Sequence, residues 1–141
     1  MAMPVTMLTF STAIDDPKRF RRSRDVAAYF GLTSRRWQSG TSIDVQGRIS
    51  KAGDPEVRRA LYEAASAMLT RYKGKTALKS WGQKIAKRCH RKGVVAVARK
   101  LAVVMHAMWR DGTFYAGRPH AEDTSDAAST AKDRKHLGAY A

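Results

Sequence analysis

The stretch RRWQSGTSIDVQGRISKAGDP, residues 35–55, carries the side chains with the most evident chemical use. Ser39 follows Arg35 and Arg36, precedes Arg48, and is itself followed by Gly40. A hydroxyl framed by guanidinium groups could attack the phosphorus of a phosphodiester, because the cations neutralise phosphate oxygens and stabilise the charge that builds in the transition state. Gly40, without a Cβ, would let a sugar-phosphate strand come close to the backbone. From residue types alone Ser39-Gly40 is also, and more simply, a polar turn. Both readings stay open at this level.

Two more basic sets share that ambiguity. In KRFRRSR, residues 18–24, Arg21, Arg22 and Arg24 could track a phosphate backbone or form the solvated face of a helix. In ISKAGDPEVRR, residues 49–59, Ser50, Lys51 and the amides near 54–57 sit where a helix begins, which favours an anion; Arg58 and Arg59 follow one turn later. A capped helix start with a wet face accounts for the same residues.

Other chemistries are poorly served. Asp15-Asp16 adjoin a proline turn, and Asp25, Asp44, Asp54, Glu56 and Glu63 are scattered, so a two-metal carboxylate site has no visible source. No G-x-S-x-G elbow is present. Cys89-His90, His106, His120 and His136 lack the paired spacings of a zinc site, and no cofactor is expected to be held by this chain.

Charge narrows the partner. The 141 residues hold 27 Lys and Arg against 12 Asp and Glu, a net charge of +15. Residues 116–141 carry four of each sign, so all of the excess lies in residues 1–115. Such a field attracts polyphosphates, whose neutralisation releases condensed counterions, and nucleic acid is the expected partner. One cysteine suits a reducing compartment, and no stretch approaches the about 20 apolar residues of a membrane span. A cytoplasmic protein without a membrane partner is expected.

These residues need elements to position them. Residues 3–14 are apolar, with Pro4 suited to a first helical turn. A second helix runs from Pro17 or Ser23 to Phe30 and ends at Gly31. Asp54-Pro55 starts a third, in which Val57, Leu61, Ala64, Ala65, Met68, Leu69 and Tyr72 recur at helical spacing. Thr76 caps a fourth over 77–91, with Leu78, Trp81, Ile85 and Cys89 on one stripe. Gly93 restarts the chain, and residues 94–109, apolar on most sides, form the central helix, stopped by Asp111-Gly112. The expected fold is all-α, four or five helices with a long polar crossing, in which SIDVQGRI is the one place for a short hairpin. Residues 1–115 form the domain and 116–141 a disordered tail.

Taken together, FRRSRDVAAYFGLTSRRWQSGTSIDVQGRISKAGDPEVRRALYEAA and ARKLAVVMHAMWRDGTFY resemble the C-terminal domain of bacterial insertion-sequence transposases of the IS110 family. The pattern is a Phe-Gly-Leu-Thr helix end, an Arg-Arg-aromatic-x-Ser-Gly turn, a Gly-x-Ile-Ser-Lys-x-Gly-Asp signature and Arg-Arg-x-Leu, over roughly residues 12–115. The resemblance implies a DNA recombinase in which Ser39 attacks a DNA phosphodiester and forms a transient phosphoserine link. It implies Arg35, Arg36, Arg48 and Lys51 around the DNA or a structured guide RNA; the basic sets above add Arg21, Arg22, Arg24, Arg58 and Arg59 as candidate nucleic-acid contacts. Family members pair this domain with a RuvC-like domain of four acidic metal ligands, and the serine of one protomer meets the acidic site of another. Mg²⁺ is therefore expected only with that domain, in a possible homo-oligomer. The sequence starts inside the helix-hairpin-helix-like segment of its relatives and contains no acidic domain, so a truncated transposase, inactive without the missing half, is expected. The alternative is a DNA- or RNA-binding module or relic without chemistry.

Overall fold

The computed structural model describes residues 3–39 and 43–115, with side chains over 5–35 and 47–115. Among the described residues, five α-helices and one β-hairpin follow in chain order: α1 Met3–Ile14, α2 Ser23–Tyr29, β1 Ser34–Ser39, β2 Ile43–Ile49, α3 Pro55–Thr70, α4 Ala77–Ala86 and α5 His90–Asp111. The expected helical class holds, and the polar crossing contains the two strands of an antiparallel hairpin. The proposed tail, 116–141, lies outside the described residues.

Helix boundaries follow local chemistry. Asp54 accepts the amide of Glu56 at 2.8 Å and Pro55 fills the first turn of α3, while Thr76 accepts the amide of Lys79 at 3.2 Å to start α4. Gly112, at φ 64°, takes the left-handed position that ends α5, and its amide bonds the carbonyl of Met108. Between α1 and α2, Asp16 caps a single 3-10 turn, Pro17–Arg19, through the amide of Lys18.

Helix α5 is the centre, packing against α2, α3 and α4. It buries Val94, Val97, Ala98, Leu101, Ala102 and Met105, which meet Val57, Leu61, Ala65 and Leu69 of α3 and Val26 of α2 in one continuous core. Thr6, Phe10 and Ile14, four apart, form the buried stripe of α1, whereas Val5 and Leu8 on its other side are exposed.

One boundary departs from expectation. Helix α4 stops at Ala86, five residues early, and α5 begins at His90 with Gly93 inside it. The cause is close packing: a Cβ on Gly93 would lie 2.7 Å from the Cβ of Ala86, and one on Gly82 would lie 2.2 Å from Cγ2 of Val97. Two glycines thus let α4 and α5 fold back on each other tightly, and the chain turns before Gly93 rather than at it. Cys89, expected on the apolar stripe, is consequently exposed in that turn.

A buried polar group was not anticipated. His106 is fully buried, its Nε2 donates to the carbonyl of Pro17 at 2.7 Å, and its Nδ1 shares a hydrogen bond with the hydroxyl of Ser23 at 3.0 Å. The carbonyl can only accept, so Nε2 is the donor in that bond. The ring meets Phe20 edge-on at 5.8 Å. His106 thereby ties α5 to the segment that enters α2. His106→Ala is expected to lower unfolding free energy by about 3 kcal/mol, from a cavity plus unmet polar groups, against about 1 kcal/mol for Ser23→Ala. Urea unfolding of both variants measures the difference.

Candidate nucleic-acid interface

The hairpin carries Ser39, and a lone two-stranded hairpin is at best marginally stable in water, so its base must be held by the rest of the chain. Pairing runs Arg36 to Gln46, Trp37 to Val45, Gln38 to Asp44 and Ser39 to Ile43, while Ser34 pairs with Ile49. The shift leaves Arg35 opposite two residues, Gly47 and Arg48, a bulge that bends the ribbon near its base. Below it, Ser50 N–H donates to the Thr33 carbonyl at 2.8 Å and Lys51 N–H to the Gly31 carbonyl at 3.1 Å.

Two arginines reinforce that base from separate helices. Arg58 of α3 directs Nη1 at the carbonyls of Ala52 (2.9 Å), Phe30 (3.2 Å) and Gly53 (3.3 Å). Arg99 of α5 donates from Nε and Nη2 to the Leu32 carbonyl at 3.1 and 3.0 Å, across 67 positions of sequence. The two segments run so close that a Cβ on Gly31 would sit 2.4 Å from backbone atoms of Ala52, and one on Gly53 would sit 2.2 Å from the Tyr29 carbonyl oxygen. The Phe-Gly-Leu-Thr and Ser-Lys-x-Gly-Asp signatures are therefore two halves of one clasp.

The sequence-derived site residues separate into groups. Ser39 ends β1, the strand terminus away from the clasp; its side chain and that of Arg36 lie outside the described residues. Arg35 is exposed and donates to the Ser50 carbonyl at 3.2 Å, and Arg48 is exposed on β2 opposite it. Lys51 is exposed at the clasp, in the left-handed region at φ 55°. Arg21, Arg22 and Arg24 are exposed around the start of α2. Arg59 is exposed and paired with Glu63 at 3.1 Å. Arg58 differs: its guanidinium faces backbone carbonyls, so it positions the hairpin. The start of α3, read as an anion site, already holds the Asp54 carboxylate on the Glu56 amide.

A further basic feature was not singled out in the sequence. Between Glu63 and Asp111 there are twelve Lys and Arg and no acid. Five of them, Lys84, Lys87, Arg88, Arg91 and Lys92, are exposed where α4 turns into α5. Arg91 and Lys92 lie in the first turn of α5, where the helix dipole is positive and no acidic side chain offsets it. That arrangement repels itself and is relieved by an external polyanion. At the other end of the basic run, the hydrogen bond from Arg110 holds the Asp111 carboxyl below its ordinary range.

Among the described residues the acidic side chains do not fit a divalent catalytic metal. Among the described residues no group of three or more His, Cys, Asp or Glu is placed to hold an ion. Asp16 and Asp54 cap helical turns, Glu63 pairs with Arg59, and Asp111 pairs with Arg110. Among the described residues, no helix is long and apolar enough to cross a membrane.

Residues 3–81, which hold the clasped hairpin, match the model of the transposase IS116/IS110/IS902 family, and the chain belongs to it. It is 35% identical over 106 residues to the transposase for insertion sequence element IS1111A of Coxiella burnetii, covering 74% of this chain and 29% of that protein. It is 33% identical over 115 residues to the pilin gene-inverting protein of Moraxella bovis, covering 77% of this chain and 34% of that protein. The transposase for insertion sequence element IS1328 of Yersinia enterocolitica is 31% identical over 113 residues, covering 79% and 34%. The chain thus spans about a third of the length of these relatives.

Proposed function

We propose that this chain is the serine-bearing, nucleic-acid-binding part of a DNA strand-transfer recombinase, with Ser39 as nucleophile. The observation that carries the reading is the position of Ser39 at the far end of a clasped hairpin in a chain of this transposase family. The Ser39 hydroxyl loses its proton and attacks phosphorus, a phosphoserine diester forms, and the broken P–O bond releases a sugar hydroxyl. Arg35 and Arg48, at opposed positions of the bulge, neutralise the strand near the reacting phosphate, and the α4–α5 turn supplies the longer electrostatic track. Among the described residues no carboxylates gather into a metal site, so this reading assigns the divalent ions to an acidic RuvC-like domain, and a structured guide RNA is a partner by the same resemblance. A second reading is a module that grips DNA or RNA without chemistry, for which the exposed cations of the α4–α5 turn would suffice.

The binding half of the proposal is tested by salt. Duplex affinity of the chain is expected to fall steeply between about 50 and 200 mM salt, with a log-log slope of about −0.9 per phosphate neutralised. Changing Lys84, Lys87, Arg88, Arg91 and Lys92 to Gln should flatten the slope by about 3–5. The same variant should unfold at about the same temperature, because the repulsion relieved at Arg91 and Lys92 in the first turn of α5, roughly 0.3–1 kcal/mol each, is offset by losing Lys84 and Lys87 from the C-terminal end of α4. A slope unchanged by the five substitutions would remove the turn from the interface.

A further inference from the structure

Helix α4 turns a single polar face to solvent. Leu78 and Gly82 are buried, and the close seat of Gly82 against Val97 fixes the helix on α5. Ser80, Gln83, Lys84 and the capping Lys87 are exposed on the opposite side, within an arc of about 100° at 3.6 residues per turn. Cations stand at both ends of this face. Lys84 and Lys87 are at one end, and at the other the α3–α4 connection exposes Arg71, Lys73 and Lys75. That connection is held in shape by α4 itself: the Lys79 ammonium donates to the Tyr72 carbonyl and lies 5.8 Å from the centre of the Tyr72 ring. The ring covers Gly74 so closely that a Cβ there would lie 2.4 Å from the phenol oxygen. Lys79 is thus engaged within the chain. Among the described residues no ion pair engages the other five cations.

We infer that α4 enters the major groove of duplex DNA, with Gln83 and Ser80 on base edges and the two cation sets on the phosphates at either side. The inference rests on the nucleic-acid reading above and deepens it by naming the helix that reads the duplex. The composition of the face selects the occupant. A helix face that only keeps a protein in water commonly mixes signs in i,i+4 pairs, as Arg59 and Glu63 do on α3, but α4 has no acid. A face that only holds a polyanion needs no neutral groups at its centre. Gln83 and Ser80 are such groups, and each can both donate and accept. The major groove asks for that chemistry: adenine shows an acceptor, N7, beside a donor, N6, which a glutamine amide meets bidentately, and serine suits several bases.

Dimensions agree with the same occupant. The ten residues of α4 span about 15 Å against a groove about 12 Å wide, so both cationic ends reach the phosphate walls while the middle faces the floor. Side chains three apart on a helix are about 5–6 Å apart at Cβ, so Ser80 and Gln83 address base pairs one or two steps apart. The major groove of an A-form RNA duplex is too deep and narrow for such readout.

The experiment enriches DNA duplexes with a randomised core by repeated capture on the parent chain, and then on Gln83→Ala, Ser80→Ala and the double variant Lys84→Gln with Lys87→Gln. All of these positions are exposed, so the fold is not at stake. The parent is expected to favour adenine at one position by about 5- to 150-fold, the worth of one bidentate contact, and Gln83→Ala to lose that preference with its salt slope unchanged. Ser80→Ala should relax a position one or two steps away. The double lysine variant should do the reverse, flattening the log-log salt slope by about 2 with the base preference intact. A parent without base preference overturns the inference, as does a preference that survives in Gln83→Ala. Equal affinity for RNA and DNA duplexes, indifferent to Gln83, would leave a plain cationic face and overturn it too. A parent chain that binds no duplex at low salt would instead bring down the underlying nucleic-acid reading, and the inference with it.

Discussion

Ser39→Ala is expected to lower strand transfer by about three orders of magnitude or more while leaving DNA affinity and thermal midpoint unchanged. The assay combines the chain with a RuvC-like domain of the family, guide RNA and donor and target DNA, and scores recombinant product. A nucleophile has no substitute in its own reaction, whereas removing one oxygen leaves the backbone pairing of residue 39 with Ile43 and every described clasp contact intact. Thr41 and Ser42 lie within three residues of Ser39 and carry the same functional group. Thr41→Ala and Ser42→Ala should retain activity, which separates a specific nucleophile from a generally polar hairpin end. A trapped protein–DNA adduct should appear with the parent and be absent with Ser39→Ala. Product formation at the parent rate in Ser39→Ala, or its loss in Ser42→Ala alone, would move the chemistry elsewhere.

The helical part of the fold was legible because its signals are local. The Asp54-Pro55 start, the Thr76 cap, the Gly31 and Gly112 ends and the apolar stripe of α3 each depend on residues within a turn or two. The hairpin was legible only as a place, since RRWQS and IDVQGRI lack the alternation of a half-buried sheet. What holds it is non-local: Arg99 reaches Leu32 across 67 positions and Arg58 reaches Phe30 across 28. For the same reason Arg58 reads in sequence as another cation for phosphate, although its guanidinium faces carbonyls. His106 gave no periodic signal distinct from its apolar neighbours, and its partners, Pro17 and Ser23, lie more than 80 positions away. The α4–α5 cationic turn was missed because a helix break displaced by five residues brings together side chains that one longer helix would have spread around its surface.

The clasp predicts an unequal response among three glycines that share one backbone conformation. Gly31, Gly53 and Gly112 have φ of 70°, 80° and 64°, so alanine at each meets the same left-handed penalty, about 1–2 kcal/mol. At Gly112 nothing lies within 4 Å of the added Cβ, and that penalty should be the whole effect. At Gly31 the Cβ would lie 2.4 Å from the nitrogen and oxygen of Ala52, and at Gly53 2.2 Å from the oxygen of Tyr29. These are backbone atoms, which cannot rotate out of the way as a side chain would. Relief requires the two segments to part, and parting stretches the Lys51 to Gly31 hydrogen bond and the Arg58 contacts together. Gly31→Ala and Gly53→Ala should therefore each destabilise by about 3–5 kcal/mol, the range of core disruption, in urea unfolding. Arg58→Met keeps the aliphatic stem and removes the donors, and should cost about 1–3 kcal/mol. Proteolysis should find new cleavage within residues 33–53 in all three clasp variants and not in Gly112→Ala. Recombination should fall with them even where the helices stay folded, because the hairpin that carries Ser39 would lose its fixed direction. Equal destabilisation at Gly31 and Gly112 would mean that the segments separate without cost, and the hairpin would then need another source of rigidity.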